Sequence, residues 1–89
     1  MSNQPLREEL RNILNIVADL SHNNTNASVK DIGVIEEAKP LPAHEVRNHL
    51  DELESLGLIK HDIKVAGADF RHLSITTEGI RALRNQGLR

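Results

Sequence analysis

Residues 45–60, with the sequence EVRNHLDELESLGLIK, constrain the fold of this chain more than any other segment. One face of the segment carries apolar residues at helical spacing: Val46, Leu50, Leu53 and Leu56. Because positions three and four residues apart lie on one side of an α-helix, this ridge predicts a helix over 42–56 that buries one face. Gly57 then supplies the left-handed residue that ends many helices, and an apolar pair begins a strand directly after it.

The segments before this helix predict two more helices. Residues 5–24 form the first, and its apolar stripe comprises Leu6, Leu10, Ile13, Leu14, Val17 and Leu20. Residues 28–38 form a shorter second helix, and its buried face comprises Val29, Ile32, Ile35 and Ala38. Ser28 fits as the N-terminal cap of the second helix, because Asp31 follows three residues later. The prolines of the KPLP turn separate this helix from the third.

The segments after the third helix predict a hairpin and a last helix. Strands over 58–65 and 70–76 are joined by the turn sequence AGAD, and Thr76 or Thr77 caps a short C-terminal helix. Two short strands are not stable alone, so the hairpin must pack against the helices. The pattern therefore predicts a mainly α fold with a small β-hairpin, built from a three-helix core, two strands and a short C-terminal helix.

The composition narrows the class of protein. The chain has 89 residues, the length of one domain over 1–89, and its single aromatic residue means that the core must be built from aliphatic side chains. The absence of cysteine excludes disulfides, thiol catalysis and zinc–thiolate sites. Neither a signal peptide nor an apolar run of membrane-spanning length is present in the sequence, which predicts a cytoplasmic protein without a membrane partner.

The charges are distributed unevenly, although the formal net charge is only −2. Residues 31–59 contain seven acidic and two basic side chains, a balance of −5. Residues 60–89 contain six basic and three acidic side chains, a balance of +3. The acidic balance therefore falls on the second and third predicted helices, and the basic balance falls on the hairpin and the last helix.

Two motifs at hairpin distance, LESLGLI and LSITTEGIRAL, together resemble the winged helix-turn-helix superfamily, particularly transcription regulators of the multiple-antibiotic-resistance and arsenic-repressor type. The matching features extend over most of residues 28–83: Ile35 in the second helix, the KPLP turn, VRNHLDEL, GLI and LSITTEG. In that superfamily the third helix enters the major groove of DNA, and the hairpin, called the wing, contacts the neighbouring backbone.

The resemblance implies a DNA-binding site on the exposed face of the third helix and on the wing. The Arg47 guanidinium matches guanine O6 and N7, and the Asn48 amide matches adenine N6 and N7. His44 can donate a hydrogen bond to a base edge or a phosphate. The wing would contact phosphates through three basic side chains: Lys60, Lys64 and Arg71.

The resemblance also implies that double-stranded DNA is the partner and that the protein is a homodimer, because members of this superfamily commonly pair through their terminal helices. Apolar residues of the first and last helices would supply the dimer surface: Leu6, Leu10, Ile13, Ile80 and Leu83.

Other interpretations of the same residues stay open. Arg47 and Asp51 are four residues apart and fit a surface ion pair. The acidic helices also fit a docking surface, so the alternative function is a winged-helix protein–protein interaction module that does not bind DNA. His61 and His72 could face each other across the hairpin, but no third ligand is evident, so neither a metal site nor a cofactor is predicted. The sequence contains no glycine-rich phosphate loop that would indicate an enzyme, and no catalytic residue is predicted.

Overall fold

Four helices and three short strands make up the parts of the chain that the computed structural model describes, residues 7–61 and 72–87. In chain order these elements are α1 (Glu8–Ser21), β1 (Val29–Lys30), α2 (Asp31–Glu37), α3 (Ala43–Ser55), β2 (Ile59–His61), β3 (His72–Ile75) and α4 (Thr77–Gly87). The predicted fold class, mainly α with a small antiparallel hairpin, is confirmed. The predicted site residues Lys64 and Arg71, and the predicted dimer residue Leu6, lie outside the described residues.

The core is aliphatic and lies where α1, α2, α3 and the sheet meet. Its fully buried apolar side chains include Ile13, Leu14, Val17, Val34, Val46, Leu50, Leu53, Ile59, Leu73 and Ile75. The ridge of the third helix supplies three of them, Val46, Leu50 and Leu53, on a helix that packs against α1, α2 and β2. No helix in the described part of the chain combines the length and the apolar character needed to cross a bilayer.

Three large apolar side chains that the helical spacing predicts to be buried are instead exposed. Leu20 is 39% exposed, Ile32 is 46% exposed and Leu56 is 52% exposed. Leu20 and Leu56 lie at the ends of their helices, where the chain leaves the helical path and the apolar stripe no longer meets the core. In the last turn of α1 the small side chain of Ser21 is buried, and its hydroxyl donates to the Ala18 carbonyl at 3.1 Å.

The sheet has a strand that the sequence pattern does not indicate. Its strand order is β1–β3–β2, and all neighbours are antiparallel. Within the predicted hairpin Ile59 lies opposite Ile75, and on the other edge Val29 lies opposite Leu73. A two-residue strand is too short to show the alternation that identifies strands, so the sequence pattern does not predict β1.

The second helix begins at Asp31, later than the predicted residue 28, because Val29–Lys30 is held in β1. The buried face of α2 carries Asp31 and Val34, so the predicted burial of Ile32 is wrong. The predicted cap is also wrong, since Lys30 occupies the N-cap position of α2 without a side-chain hydrogen bond.

The end of α3 and the start of α4 meet in a hydrogen-bonded corner. Gly57 has a φ of 80°, the left-handed conformation predicted for it. The Thr76 hydroxyl donates to the Gly57 carbonyl at 2.8 Å and accepts the Gly79 N–H at 3.0 Å, and the Thr76 N–H donates to the Leu58 carbonyl at 3.1 Å. Thr76 is therefore the N-terminal cap of α4, one of the two candidates that the sequence offered.

Replacing Thr76 with alanine is expected to lower the free energy of unfolding by about 1 kcal/mol, because it removes the cap of α4 and the bond to Gly57. Thr77→Ala is the matched control, since Thr77 is exposed and is the first residue of α4. Urea unfolding of the two variants measures the difference. Equal stability of the two variants would contradict the assignment of Thr76 as the cap.

Candidate nucleic-acid interface

The outer face of α3 carries the helix residues that the resemblance assigns to DNA. His44, Arg47 and Asn48 are exposed, whereas Val46 on the opposite side is completely buried. Arg47 and Asn48 follow His44 by three and four residues, so all three side chains lie on one side of the helix. Burial of the opposite ridge fixes the rotation of α3 about its axis. Contact between these side chains and DNA stays a prediction.

Arg47 also takes part in an ion pair that links α3 to α2. Its Nε lies 3.6 Å from Oδ2 of Asp31, whose carboxylate is almost completely buried at the start of α2. This pair joins two helices, whereas the pair with Asp51 suggested by the spacing would lie within α3 and stays a prediction. The separation is that of an ion pair, because it is longer than a hydrogen bond. The pair restrains the guanidinium, and the Arg47 side chain is still about half-exposed.

Lys60 is the wing cation that falls within the described residues. It is exposed on β2, while its neighbour Ile59 is buried and His61 is partly buried. This alternation is the one expected for a strand with one face on the core. The strand therefore directs Lys60 away from the core, as a phosphate contact would require.

Several carboxylates of residues 31–59 lie beside a basic side chain or a histidine. At least four of the seven carboxylates in this segment face a basic side chain or a histidine: Asp31 with Arg47 at 3.6 Å, Glu36 with Lys39 at 3.1 Å, Glu52 with Arg7 at 2.8 Å and Glu54 with His61 at 2.6 Å. Arg7 lies outside the segment, so its pair with Glu52 brings additional positive charge to α3. Exposed pairs of this kind contribute little to stability, but they reduce the repulsion that a phosphate would meet.

His61 faces α3, and the predicted pairing of His61 with His72 is wrong. The register places Leu73 opposite His61, and it places His72 opposite Lys30 on the other edge of β3. The Nδ1 of His61 instead lies 2.6 Å from Oε1 of Glu54. Ligand atoms of Asp51, Glu54 and His61 all lie within 4.8 Å of one another, so this is a group that could hold a metal ion.

An open cleft of about 270 Å³ lies between α1 and α4. Ile80 and Leu83, two residues predicted for a dimer surface, line the cleft together with Ala18. Leu10 and Ile13, also predicted for that surface, are buried in the core of the single chain, so that part of the prediction is wrong. They fill the core because α1 packs against α2, α3 and β3, so Ile80 and Leu83 of α4 are the described residues of the predicted dimer surface that stay partly exposed.

Comparison with known proteins identifies the fold. The structure is similar to the crystal structure of ZitR, a zinc-responsive MarR family member from Lactococcus lactis, with a TM-score of 0.71 and 21% sequence identity. The chain has a winged-helix fold. The similarity covers 97% of this chain and 54% of the ZitR chain, so the winged-helix domain spans about half the length of that protein. No family sequence model and no curated protein sequence matches the chain.

The similarity to ZitR confirms the fold implied by LESLGLI and LSITTEGIRAL. The multiple-antibiotic-resistance type of regulator, one of the two named in that resemblance, is the type to which ZitR belongs. At 21% identity the likeness concerns the path of the backbone. The chemistry of the surface must be argued from the side chains of this winged-helix domain.

Proposed function

We propose that this winged-helix domain binds double-stranded DNA as a transcription regulator, with α3 in the major groove and the wing on the flanking backbone. The observation that carries the proposal is the outer face of α3, where His44, Arg47 and Asn48 are exposed on a helix whose other face is sealed in the core. The major groove is about 12 Å wide and admits one α-helix. These three side chains offer hydrogen-bond donors of the kinds that read base edges.

The pair between Asp31 and Arg47 supports a reading role for Arg47. Asp31 faces the Nε of Arg47, and in the proposal the terminal nitrogens form the two-pronged contact to guanine O6 and N7. A guanidinium restrained by a buried carboxylate loses less conformational freedom on binding than one on a mobile chain. Asp31 would thus orient the side chain, and Asn48 one residue further would contact an adjacent base.

A homodimer and a cytoplasmic location belong to the same proposal. ZitR is a family member of about twice this length, and α4 of the present chain offers the half-buried Ile80 and Leu83 beside the cleft to α1. Pairing through this surface would present two copies of α3 and of Lys60 to one duplex. Two half-sites about one helical turn apart on the DNA are then expected.

The test is a fluorescence anisotropy titration of a labelled random-sequence duplex at low salt. We expect saturable binding that weakens as salt rises, because phosphate contacts release counterions. Lys60→Ala is expected to reduce the slope of log K against log salt by about 1 for each bound chain, and Arg47→Ala to weaken binding to a selected site by about 1–3 kcal/mol.

The matched control is Arg81→Ala, which removes an exposed arginine of α4 that is paired with Glu78. This variant should bind the duplex as the unsubstituted chain does. Circular dichroism must accompany Arg47→Ala, because that substitution also breaks an ion pair with the buried Asp31. Absence of duplex binding at low salt would refute the proposed function.

A protein-interaction module is the second candidate, and one observation favours it. Leu20 and Ile32 are exposed, and Leu20 Cδ1 lies 3.7 Å from the position that a Cβ on Gly33 would occupy, so α1 contributes an apolar side chain beside the start of α2. Exposed apolar residues next to the acidic Glu36 and Glu37 fit a docking surface. Under this candidate duplex binding is absent, and Leu20→Ser abolishes binding to a protein partner.

A further inference from the structure

We propose that Asp51, Glu54 and His61 form a binding site for one divalent transition-metal ion, which would join the end of α3 to β2. Their ligand atoms lie within 4.8 Å of one another, and they come from two elements that are separated by the turn at Gly57. The donor set contains an imidazole as well as two carboxylates, which distinguishes it from a simple run of acidic residues on a helix.

The backbone that carries the three side chains is held by buried neighbours. Asp51 and Glu54 flank Leu53, which is completely buried, and their spacing of three residues places both carboxylates on the same side of α3. His61 lies two residues after the buried Ile59, in a strand whose register with β3 is fixed. The His61 side chain is only 13% exposed, whereas that of Glu54 is 44% exposed and has room to adjust.

The distances suit a small cation after a modest movement of side chains. A tetrahedral zinc ion with bonds of about 2.0–2.2 Å separates its ligand atoms by about 3.3 Å. The Nδ1 of His61 and the Oε1 of Glu54 are now 2.6 Å apart. These two atoms would move apart to about 3.3 Å to bind the ion between them. The ligand atom of Asp51 lies at most 4.8 Å from the other two, and these separations would shorten toward the same distance.

The electrostatics of α3 provide an independent reason for a cation at this place. The carbonyl end of a helix carries partial negative charge, and the last turn of α3 contains no basic residue to offset it. Asp51 and Glu54 add two carboxylates near that end, while the Glu52 between them already pairs with Arg7 at 2.8 Å. A divalent cation would be attracted by both carboxylates and by the helix end.

The donor set selects the kind of ion. An imidazole with two carboxylates suits zinc, cobalt, nickel or manganese, whereas calcium and magnesium prefer oxygen ligands alone. Three protein ligands leave at least one coordination position for water or for another ligand. The metal would bind a ring nitrogen of the neutral imidazole and take the place of the present contact between His61 and Glu54.

Metal binding would also change how α3 meets an anionic partner. The ion would neutralise two carboxylates next to the outer face of α3 and tie the first wing strand to the helix. We therefore expect the metal to strengthen duplex binding. This consequence rests on the proposed function, but the metal site itself does not.

The test is titration of the full chain with Zn²⁺ by calorimetry and with Co²⁺ by visible absorption, both without DNA. We expect saturable binding of one ion per chain, with Co²⁺ bands that report nitrogen and oxygen ligands. His61→Gln and Glu54→Gln are each expected to abolish saturable binding, and Asp51→Asn to weaken it. Circular dichroism shows that each variant is folded.

Two controls match the substitutions. Glu37→Gln removes an exposed carboxylate of α2, and His44→Gln removes an exposed imidazole of α3, and neither residue belongs to the group. Both should bind the ion as the unsubstituted chain does. Absence of saturable binding in the unsubstituted chain, or its retention in folded His61→Gln, would overturn the site.

Duplex titration with and without Zn²⁺ then separates this inference from the proposed function. A several-fold rise in duplex affinity that His61→Gln abolishes would support the link between the two. Metal binding without duplex binding would leave the site standing and refute the proposed function. If the chain binds duplex but no metal, and Zn²⁺ leaves its duplex affinity unchanged, the metal site is refuted and the proposed function stands.

Discussion

Replacing Gly79 with alanine is expected to destabilise the domain by about 1–3 kcal/mol, although alanine is the better helix former. A Cβ at this position would lie 2.2 Å from the Leu58 carbonyl oxygen and 2.9 Å from Cγ1 of Ile75. The oxygen belongs to the backbone and already accepts the Thr76 N–H, so it cannot move without opening the corner between α3 and α4. The steric conflict should therefore outweigh the gain in helix propensity.

Gly33→Ala is the matched control, because Gly33 is also a helical glycine. A Cβ at Gly33 would meet Leu20 Cδ1 at 3.7 Å, an ordinary van der Waals distance. With no conflict to offset it, the gain in helix propensity should stabilise the domain by about 0.5–1 kcal/mol. Urea unfolding of both variants should give shifts of opposite sign, and shifts of the same sign would contradict the close packing of α4 on Leu58.

Leu53→Ala is expected to lower the free energy of unfolding by about 2–5 kcal/mol. Leu53 is completely buried in the ridge of α3, and its carbonyl accepts the Leu58 N–H at 3.0 Å where the chain turns into β2. Truncation would leave a cavity between α3 and its neighbours. For a small domain with a total stability of about 5–15 kcal/mol, the loss would be a large fraction of the whole.

Leu56→Ala makes the same chemical change three residues further along. Leu56 is more than half-exposed at the end of α3, so its truncation should shift stability by no more than about 0.5 kcal/mol. Thermal unfolding of the two variants measures the contrast. Similar melting temperatures of the two variants would contradict the burial of Leu53 against the core and the exposure of Leu56.

The parts of the fold that could be predicted are those governed by local rules. The spacing of Val46, Leu50 and Leu53 defines α3, and Gly57 and Thr76 have the conformational and capping roles that their chemistry indicates. The strand β1 could not be predicted, because its two residues are extended through pairing with β3. That pairing also sets the start and buried face of α2.

In the candidate site, too, some features could be predicted from the sequence and others could not. Exposure of His44, Arg47 and Asn48 follows from the helical spacing and is found in the structure. The two side-chain contacts that give the site its electrostatic character join residues from different elements, Asp31 to Arg47 and Glu54 to His61. Sequence distance gives no sign of such contacts, since they depend on how α2 and β2 pack beside α3.

The most direct test of the proposed role of α3 is amide chemical-shift mapping of the ¹⁵N-labelled domain during titration with duplex DNA at low salt. We expect the perturbations to concentrate at residues 43–48 of α3 and at Lys60 on the wing, with little change in the buried part of α1. Perturbations confined to α1 and α4, or none at saturating duplex, would contradict the proposal that the outer face of α3 meets DNA.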